Sequence, residues 1–376
     1  MIGKVTLQDI AKLTGVAPAT VYKALSNSKG VSEKKRAEIV QVAKNLNYSS
    51  LSTSAPPTQT IAVLFPAPEG EDQYFYQYIW AGIAAREEEL RDSSLRVIKV
   101  TFDGTIENQL ERMELILMLY ANKIQGLITI VWEESRFLDI IDRFHNSGIP
   151  VFTISSDAPS SARTMSIMAN SYKTGRLAAE YMGSVIKDFG RVLIIGTKRD
   201  AYNHSNMVRG FFDQMNISNP KIQVIEVYES KKYPEKLQET VQDFLSAFDY
   251  VQGIYTNNAR TTALIIKTLQ NTDKAKSIVF VGSEAFRESI IAMKDGTINA
   301  LIDQDAFRQG YEGLSLAYKV ISGNKEVDKS THYISSRLYL QSNVPSLKDE
   351  EEMLNREIKL NQELELEIKL SNLNTD

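Results

Sequence analysis

Among the first 50 residues, Lys4, Lys12, Lys23, Lys29, Lys34, Lys35, Arg36 and Lys44 are opposed only by Asp9, Glu33 and Glu38, a net charge of +5 on a chain of −4 overall. Cations gathered on a short segment suit a nucleic-acid backbone, because each phosphate they neutralise releases condensed counterions. Further along, polar and aromatic residues follow successive apolar runs: Gln73, Phe75 and Tyr76; then Ser155, Asp157 and Arg163; then Asn203, Asn257, Glu284 and Gln304. Aromatic faces can cover the C–H side of a sugar ring, while amides and carboxylates exchange hydrogen bonds with its hydroxyls. Each residue alone is as readily a loop cap or a solvated group. Their recurrence at the ends of apolar runs favours a polyol or sugar site.

Catalytic chemistry has little support. His145, His204 and His332 lie on different elements and in no metal-ligand or nucleophile spacing. There is no GxGxxG and no P-loop, and the adjacent Glu133 and Glu134 suit a helix start better than an acid/base pair. With no cysteine, disulfides and thiolate metal sites are excluded. No enzyme activity, metal or cofactor is expected. No apolar run approaches the roughly 18 to 20 residues that span a bilayer, and MIGKVTLQDI has no signal-peptide core. A cytoplasmic protein with no membrane partner is expected.

The basic segment reads as three short helices. Thr6 stands three residues before Asp9, a capping-box spacing, and Leu7, Ile10 and Ala11 share the apolar face of the helix they open. Gly15 permits a sharp turn, and Pro18 suits the first turn of a second helix running to Leu25. That helix buries Val21, Ala24 and Leu25, which leaves Ala19, Thr20, Tyr22, Lys23 and the following Asn27 outward. A third begins at Ser32 and closes at Asn47 and Tyr48. The pattern is a helix-turn-helix; a small helical cap has the same outline, and the charge asymmetry separates the two.

VTLQDIAKLTGVAPATVYKALSNSKGVSEKKRAEIVQVAKNLNY, residues 5–48, resembles without a gap the headpiece of the LacI (lactose and purine repressor) family of bacterial transcription regulators. The resemblance implies that the second helix enters the major groove, with Pro18, Ala19 and Lys23 at base-reading positions and Thr20 at a phosphate or base edge. Thr6, Tyr22, Asn27 and Lys29 complete the set expected to face DNA. The family usually has Ser where Ala17 stands and Ser-Arg where Tyr22 and Lys23 stand. Pro18 and Ala19 offer only apolar contact, so base selection rests on Lys23, Thr20, Tyr22 and DNA shape.

Residues 49–60 form a Ser/Thr/Pro-rich linker. It is shorter than the family's hinge segment, lacks its arginine, and has Leu51 as its sole leucine, so a minor-groove wedge does not follow. From Ile61, apolar strands alternate with helix-length segments such as Tyr76–Leu90 and Tyr172–Ile186. Strands are expected at 61–65, 95–100, 126–131, 151–154, 191–195, 221–227, 253–255, 277–281 and 298–302. Such alternation calls for parallel sheets covered by helices on both faces, and the length calls for two lobes. The fold class expected is therefore multidomain: an all-α headpiece plus an α/β two-lobed domain over residues 61–344.

IPVFTISSDAPSSAR, NSYKTGRLAAEYM, IYTNNARTTAL, VGSEAF and LIDQDAFRQGYEGL resemble the sugar-binding branch of the type I periplasmic-binding-protein fold. The resemblance implies three crossings between lobes, near Ser160, Gln304 and Asn324, with a ligand between the lobes. It makes Phe75 and Tyr76 the stacking pair, Asn257 the conserved amide, Glu284 the usual aspartate and Gln304 the late glutamine. Ser155 and Met207 stand where many relatives keep Asp and Arg; Asp157 and Arg163 are expected in those roles.

Residues 345–376 are acidic, with nine carboxylates against four cations. Leu347, Leu354 and Ile368 keep a seven-residue register that Asn361 interrupts, while 363–370 alternate with period two. A helical tail is expected, packing on its own subunit, fraying as an acidic tail, or adding a tetramer contact as the C-terminal helix of some lactose-repressor relatives implies. Together these readings describe a homodimeric, LacI-type regulator that binds a palindromic double-stranded operator and senses a small sugar or polyol.

Overall fold

The computed structural model describes residues 6–25, 30–45, 59–70, 73–186, 189–196, 201–229, 236–247, 251–270, 277–325 and 331–355. Two compact units divide the chain, residues 1–58 and 59–376. The first holds α1 (Leu7–Thr14), α2 (Pro18–Leu25) and α3 (Glu33–Asn45). Thr6 and Asp9 close the capping box: Asp9 N donates to Thr6 Oγ1 (3.4 Å) and Thr6 N donates to Asp9 Oδ2 (2.8 Å). Gly15 turns the chain at φ 65°, and Ala17 O accepts from Thr20 N and Val21 N at the start of α2. Ile10, Val21, Ala24, Leu25, Ile39 and Ala43 make the core.

Two cations of this unit are spent internally. Lys35 Nζ donates to Thr14 O (2.8 Å), and Arg36 Nη1 donates to Ala24 O (2.9 Å) and Lys23 O (3.2 Å). They satisfy carbonyls that α1 and α2 leave open at their ends. Lys12, Lys23 and Lys34 stay exposed. The expected end of α3 at Asn47 and Tyr48, most of the linker, and Asn27 and Lys29 lie outside the described residues.

In the second unit the chain builds β1 (Gln59–Pro66), α4 (Gln73–Glu89), β2 (Leu95–Phe102), α5 (Ile106–Tyr120), β3 (Gly126–Thr129), α6 (Glu134–Asn146), β4 (Val151–Ile154) and β5 (Met165–Ala169). It then crosses to a second lobe: α7 (Ser171–Val185), β6 (Gly190–Gly196), α8 (Tyr202–Ser218), β7 (Ile222–Tyr228), α9 (Leu237–Ala247), β8 (Val251–Thr256), α10 (Ala259–Gln270), β9 (Val279–Ser283), α11 (Arg287–Lys294) and β10 (Ala300–Asp303). It returns for α12 (Ala306–Ile321) and β11 (Thr331–Ile334), and crosses again for β12 (Arg337–Tyr339) and α13 (Leu347–Leu354). The sheets run β11-β5-β4-β3-β1-β2 and β12-β10-β9-β8-β6-β7. All pairs are parallel except β12, which lies antiparallel on β10. This is the doubly wound architecture expected.

The crossings need correction. The middle one is at Gln304, as expected, but the first falls at Asn170 and the third at 335–336 rather than near Ser160 and Asn324. In both cases the chain adds a short strand, β5 or β11, to the first lobe before it leaves. β11 and β12 are edge strands of four and three residues with polar positions, too short to show an alternation.

Each lobe is held by one close helix pair. A Cβ at Gly82 of α4 would stand 1.9 Å from Phe307 O of α12, and one at Gly310 of α12 would stand 2.1 Å from Ile79 O of α4. In the second lobe a Cβ at Gly175 of α7 would stand 1.8 Å from Met207 O of α8, and one at Gly210 of α8 would stand 2.0 Å from Tyr172 O. A methyl group fits at none of these positions unless the helices separate. α13 rests on α4 and α11, one from each lobe, and Glu350, 5% exposed, accepts from Tyr78 OH (2.7 Å). The tail is therefore helical and packed on its own subunit through Leu354, while the register beyond it lies outside the described residues.

Gly175→Ala is expected to cost about 1–3 kcal/mol through overpacking, read as a lower urea midpoint. The exposed Ser184→Ala on the same helix should stay within about 0.5 kcal/mol of the parent.

Candidate functional site

On α2 the burial of Val21, Ala24 and Leu25 turns the opposite side out. Pro18, Ala19 and Lys23 are exposed, Thr20 is half-buried and Tyr22 is 62% exposed. This outward row carries one cation, one phenol and one hydroxyl, a mixture able to meet both phosphates and base edges. Thr6 is exposed too, but its hydroxyl donates to Asp9 Oδ2 (2.7 Å) and accepts from Asp9 N, so its first duty is the cap.

In the two-lobed unit a cleft of about 560 Å³, open to solvent, lies at the carboxyl ends of the strands. The first turn of α4 supplies Tyr74, Phe75 and Tyr76, and the loop after β3 supplies Trp132. Trp132 Nε1 donates to Tyr76 OH (3.1 Å), and Phe75 meets Tyr76 edge-on at 5.4 Å between centroids. Tyr74 packs against Phe286 of the other lobe at 4.9 Å. The second lobe contributes Asn203 and His204 from α8, Asn257 to Arg260 around the start of α10, and Glu284 after β9. Gln304 lies at the crossing.

Three strand ends carry non-glycine residues in the left-handed region: Ser155 (φ 69°), Glu284 (φ 69°) and Asp305 (φ 57°). Such backbone costs about 1–3 kcal/mol per residue and survives only where its surroundings dictate it. Here they do. Ser155 N donates to Ile167 O and Glu284 N to Ile302 O, each at 3.0 Å and each to the neighbouring strand. Asp305 caps α12 by accepting from Arg308 N (3.2 Å).

Glu284 is 3% exposed and accepts twice from Gln304, from Nε2 (2.7 Å) and from the backbone N (3.2 Å). Burial, with the Asp303 carboxylate second, holds its pKa well above the usual carboxylate range. Burial likewise pushes Asp303 up to about 6. The two carboxyls adjoin a second cavity that Arg337 and Glu350 also line.

Of the expected ligand residues, Phe75, Tyr76, Ser155, Asn203, Asn257, Glu284 and Gln304 line one cleft. Gln73 instead borders a groove beside Arg287 and Glu351. Asp157 and Arg163 are absent from the cleft wall and do not take the roles expected of them. Their side chains form a buried two-point ion pair, Nε to Oδ1 at 2.5 Å and Nη2 to Oδ2 at 2.7 Å, and Asp157 also accepts from Ala158 N (2.7 Å). Each satisfies the other, and the pair organises the loop between β4 and β5. Met207 is fully buried.

Tyr74, Trp132, His204, Asn258 and Arg260 also line the cleft and were not expected there from the sequence. Asn258 and Arg260 were within reach: they flank the start of the helix that Asn257 precedes, so they open toward the same side. Trp132 lies just past an expected strand's carboxyl end, where ligands of such sheets gather. Among the described residues no group of three or more His, Cys, Asp or Glu is placed to hold a metal ion, and no helix is long and apolar enough to cross a membrane.

Residues 61–325 match the family described as periplasmic binding protein domain, and residues 6–50 match bacterial regulatory proteins, lacI family. Among curated proteins, the chain is similar to the HTH-type transcriptional regulator RegA of Clostridium saccharobutylicum, 23% identical over 342 residues, covering 89% of this chain and 97% of the relative. Two solved structures share the fold. One is GanP, a glucose-galactose binding protein from Geobacillus stearothermophilus (24% identity, 77% of this chain and 99% of the other, TM-score 0.67). The other is a putative LacI transcriptional regulator from Bacteroides fragilis (18% identity, 76% and 98%, TM-score 0.68). With a regulatory helix-turn-helix segment leading into a two-lobed domain of this kind, the chain belongs to the periplasmic binding protein domain family, in the form carried by lacI-family bacterial regulators.

Proposed function

We propose that this regulator binds a roughly palindromic double-stranded operator as a homodimer and responds to a small sugar or polyol held between the lobes. The observation that carries the ligand half is Asn257. It is fully buried at the cleft wall, and its Nδ2 makes no hydrogen bond among the described residues. A buried amide donor with no partner costs about 1–3 kcal/mol, a cost that a ligand oxygen removes. Aromatic rings opposite it supply the apolar face that a sugar ring needs.

The DNA half rests on the outward row of α2. Two such helices, paired across a dimer, reach successive major grooves, which is why the operator is expected to be palindromic. A ligand that bridges the lobes favours one lobe orientation, and that preference can reach DNA only through the link to the headpiece. Phe286 against Tyr74 and Glu350 against Tyr78 are contacts that lobe movement would have to remake.

The reading is tested by competition between the protein's own upstream DNA and random DNA at two salt concentrations. Preferential, salt-sensitive binding supports it; equal binding to both leaves a ligand receptor whose headpiece does not function. Lys23→Ala is expected to weaken that preferred binding by about 1–3 kcal/mol, measured by anisotropy. Asn257→Ala should weaken ligand binding by roughly tenfold or more in calorimetry, while DNA affinity without ligand stays at the parent value. Removing residues 356–376 should lower the number of chains per complex in sedimentation if the acidic tail adds a tetramer contact; an unchanged number removes that contact.

A further inference from the structure

The amides of the cleft are oriented by groups that leave them no choice. Thr261 N, a backbone donor, points at Asn258 Oδ1 (2.9 Å), which fixes that amide and directs its Nδ2 to Asn257 Oδ1 (2.9 Å). Asn257 Nδ2 is then the group left buried and without a partner at the cleft wall. His204 N donates to Asn203 Oδ1 (2.9 Å), so Asn203 likewise keeps its NH₂ for the cleft. Both oxygens of Glu284 accept from Gln304. The side-chain oxygens of Asn203, Asn257, Asn258 and Glu284 thus each accept a hydrogen bond inside the protein, so Asn203 and Asn257 have their NH₂ groups left over.

The charge distribution agrees. The first turns of α4, α8 and α10 open on the cleft, and none contains an acidic residue. Their partial positive ends are therefore not offset locally. Arg260 stands on the same wall, its guanidinium steadied by Glu229 (2.8 Å). Glu284 is the only carboxyl among the described lining residues, and burial beside Asp303 biases it to the neutral form. A neutral sugar brings a proton with every hydroxyl and needs acceptors to receive it, whereas a carboxylate or phosphate brings acceptors alone.

We propose, resting on the sugar-site reading above, that the ligand of this cleft is an anionic sugar whose carboxylate or phosphate is held by the donor wall of Asn203, Asn257 and Arg260. The test is calorimetry on the full chain, at low and moderate salt, with D-galactose, D-glucose, D-arabinose and D-ribose beside D-galacturonate, D-glucuronate, and the hexose 6-phosphates and pentose 5-phosphates. At least one anion should bind roughly tenfold or more tightly than its neutral parent and weaken as salt rises. The uronates and phosphates distinguish the two sources of charge. Asn257→Asp, which turns the inner donor into a carboxylate, should abolish that advantage while circular dichroism and melting temperature show a folded protein. A neutral sugar that binds as tightly as its anionic forms overturns this inference and leaves the sugar site standing. Silence from every compound overturns both.

Discussion

The two-lobed unit depends on a buried carboxyl at the point where the chain changes lobes. Glu284 ends β9 in a left-handed turn, and its side chain receives both the backbone N–H and the amide of Gln304. Gln309 Nε2 in turn donates to Gln304 O (2.8 Å), tying the start of α12 to the same knot. Taking a carboxyl out of water is costly unless donors surround it or it stays protonated. Here Gln304 supplies two donors and burial raises the pKa of the carboxyl, and the result is a fixed polar floor to the cleft. The strained turn at Glu284 persists because the neighbouring strand holds its N–H; Ser155 repeats the device at the end of β4 in the other lobe.

Around that floor the lobes are built alike. Each pairs two helices at a distance only reciprocal glycines allow, α4 with α12 and α7 with α8. Three of these four helices begin at the cleft: α4 and α8 present aromatic and amide groups from their first turns, and α12 starts just after Gln304. Tight helix contacts thus fix where the cleft-facing side chains stand. α13 adds a contact outside this plan, lying across α4 and α11 with one acid, Glu350, buried against a tyrosine.

Much of this was legible in the sequence, for physical reasons. The capping box at Thr6, the turn at Gly15 and the burial of Val21, Ala24 and Leu25 follow from local spacing alone, and apolar runs bounded by helix-length segments disclose the parallel sheets. Phe75, Tyr76, Asn203, Asn257, Glu284 and Gln304 could be placed on one cleft because they follow the carboxyl ends of strands, in the next loop or the first turn of the next helix. What escaped depends on tertiary partners. Lys35 and Arg36 read as cations for phosphate, yet they close carbonyls of α1 and α2. Asp157 and Arg163 read as ligand groups, yet they satisfy each other underneath the loop. Nothing in the run LKDEEEML marks Glu350 as the acid that is buried, because its partner lies on a helix far back in the chain.

The central claim is that occupancy of the cleft and affinity for DNA are coupled. The direct measurement is operator affinity of the full chain with the cleft empty and with it saturated by whichever sugar calorimetry shows to bind there. Coupling of about 1–3 kcal/mol, a shift of roughly 5- to 150-fold in either direction, is the predicted result. Identical affinities at saturation would contradict the account, because a site that does not bias the headpiece cannot make this protein a ligand-responsive regulator.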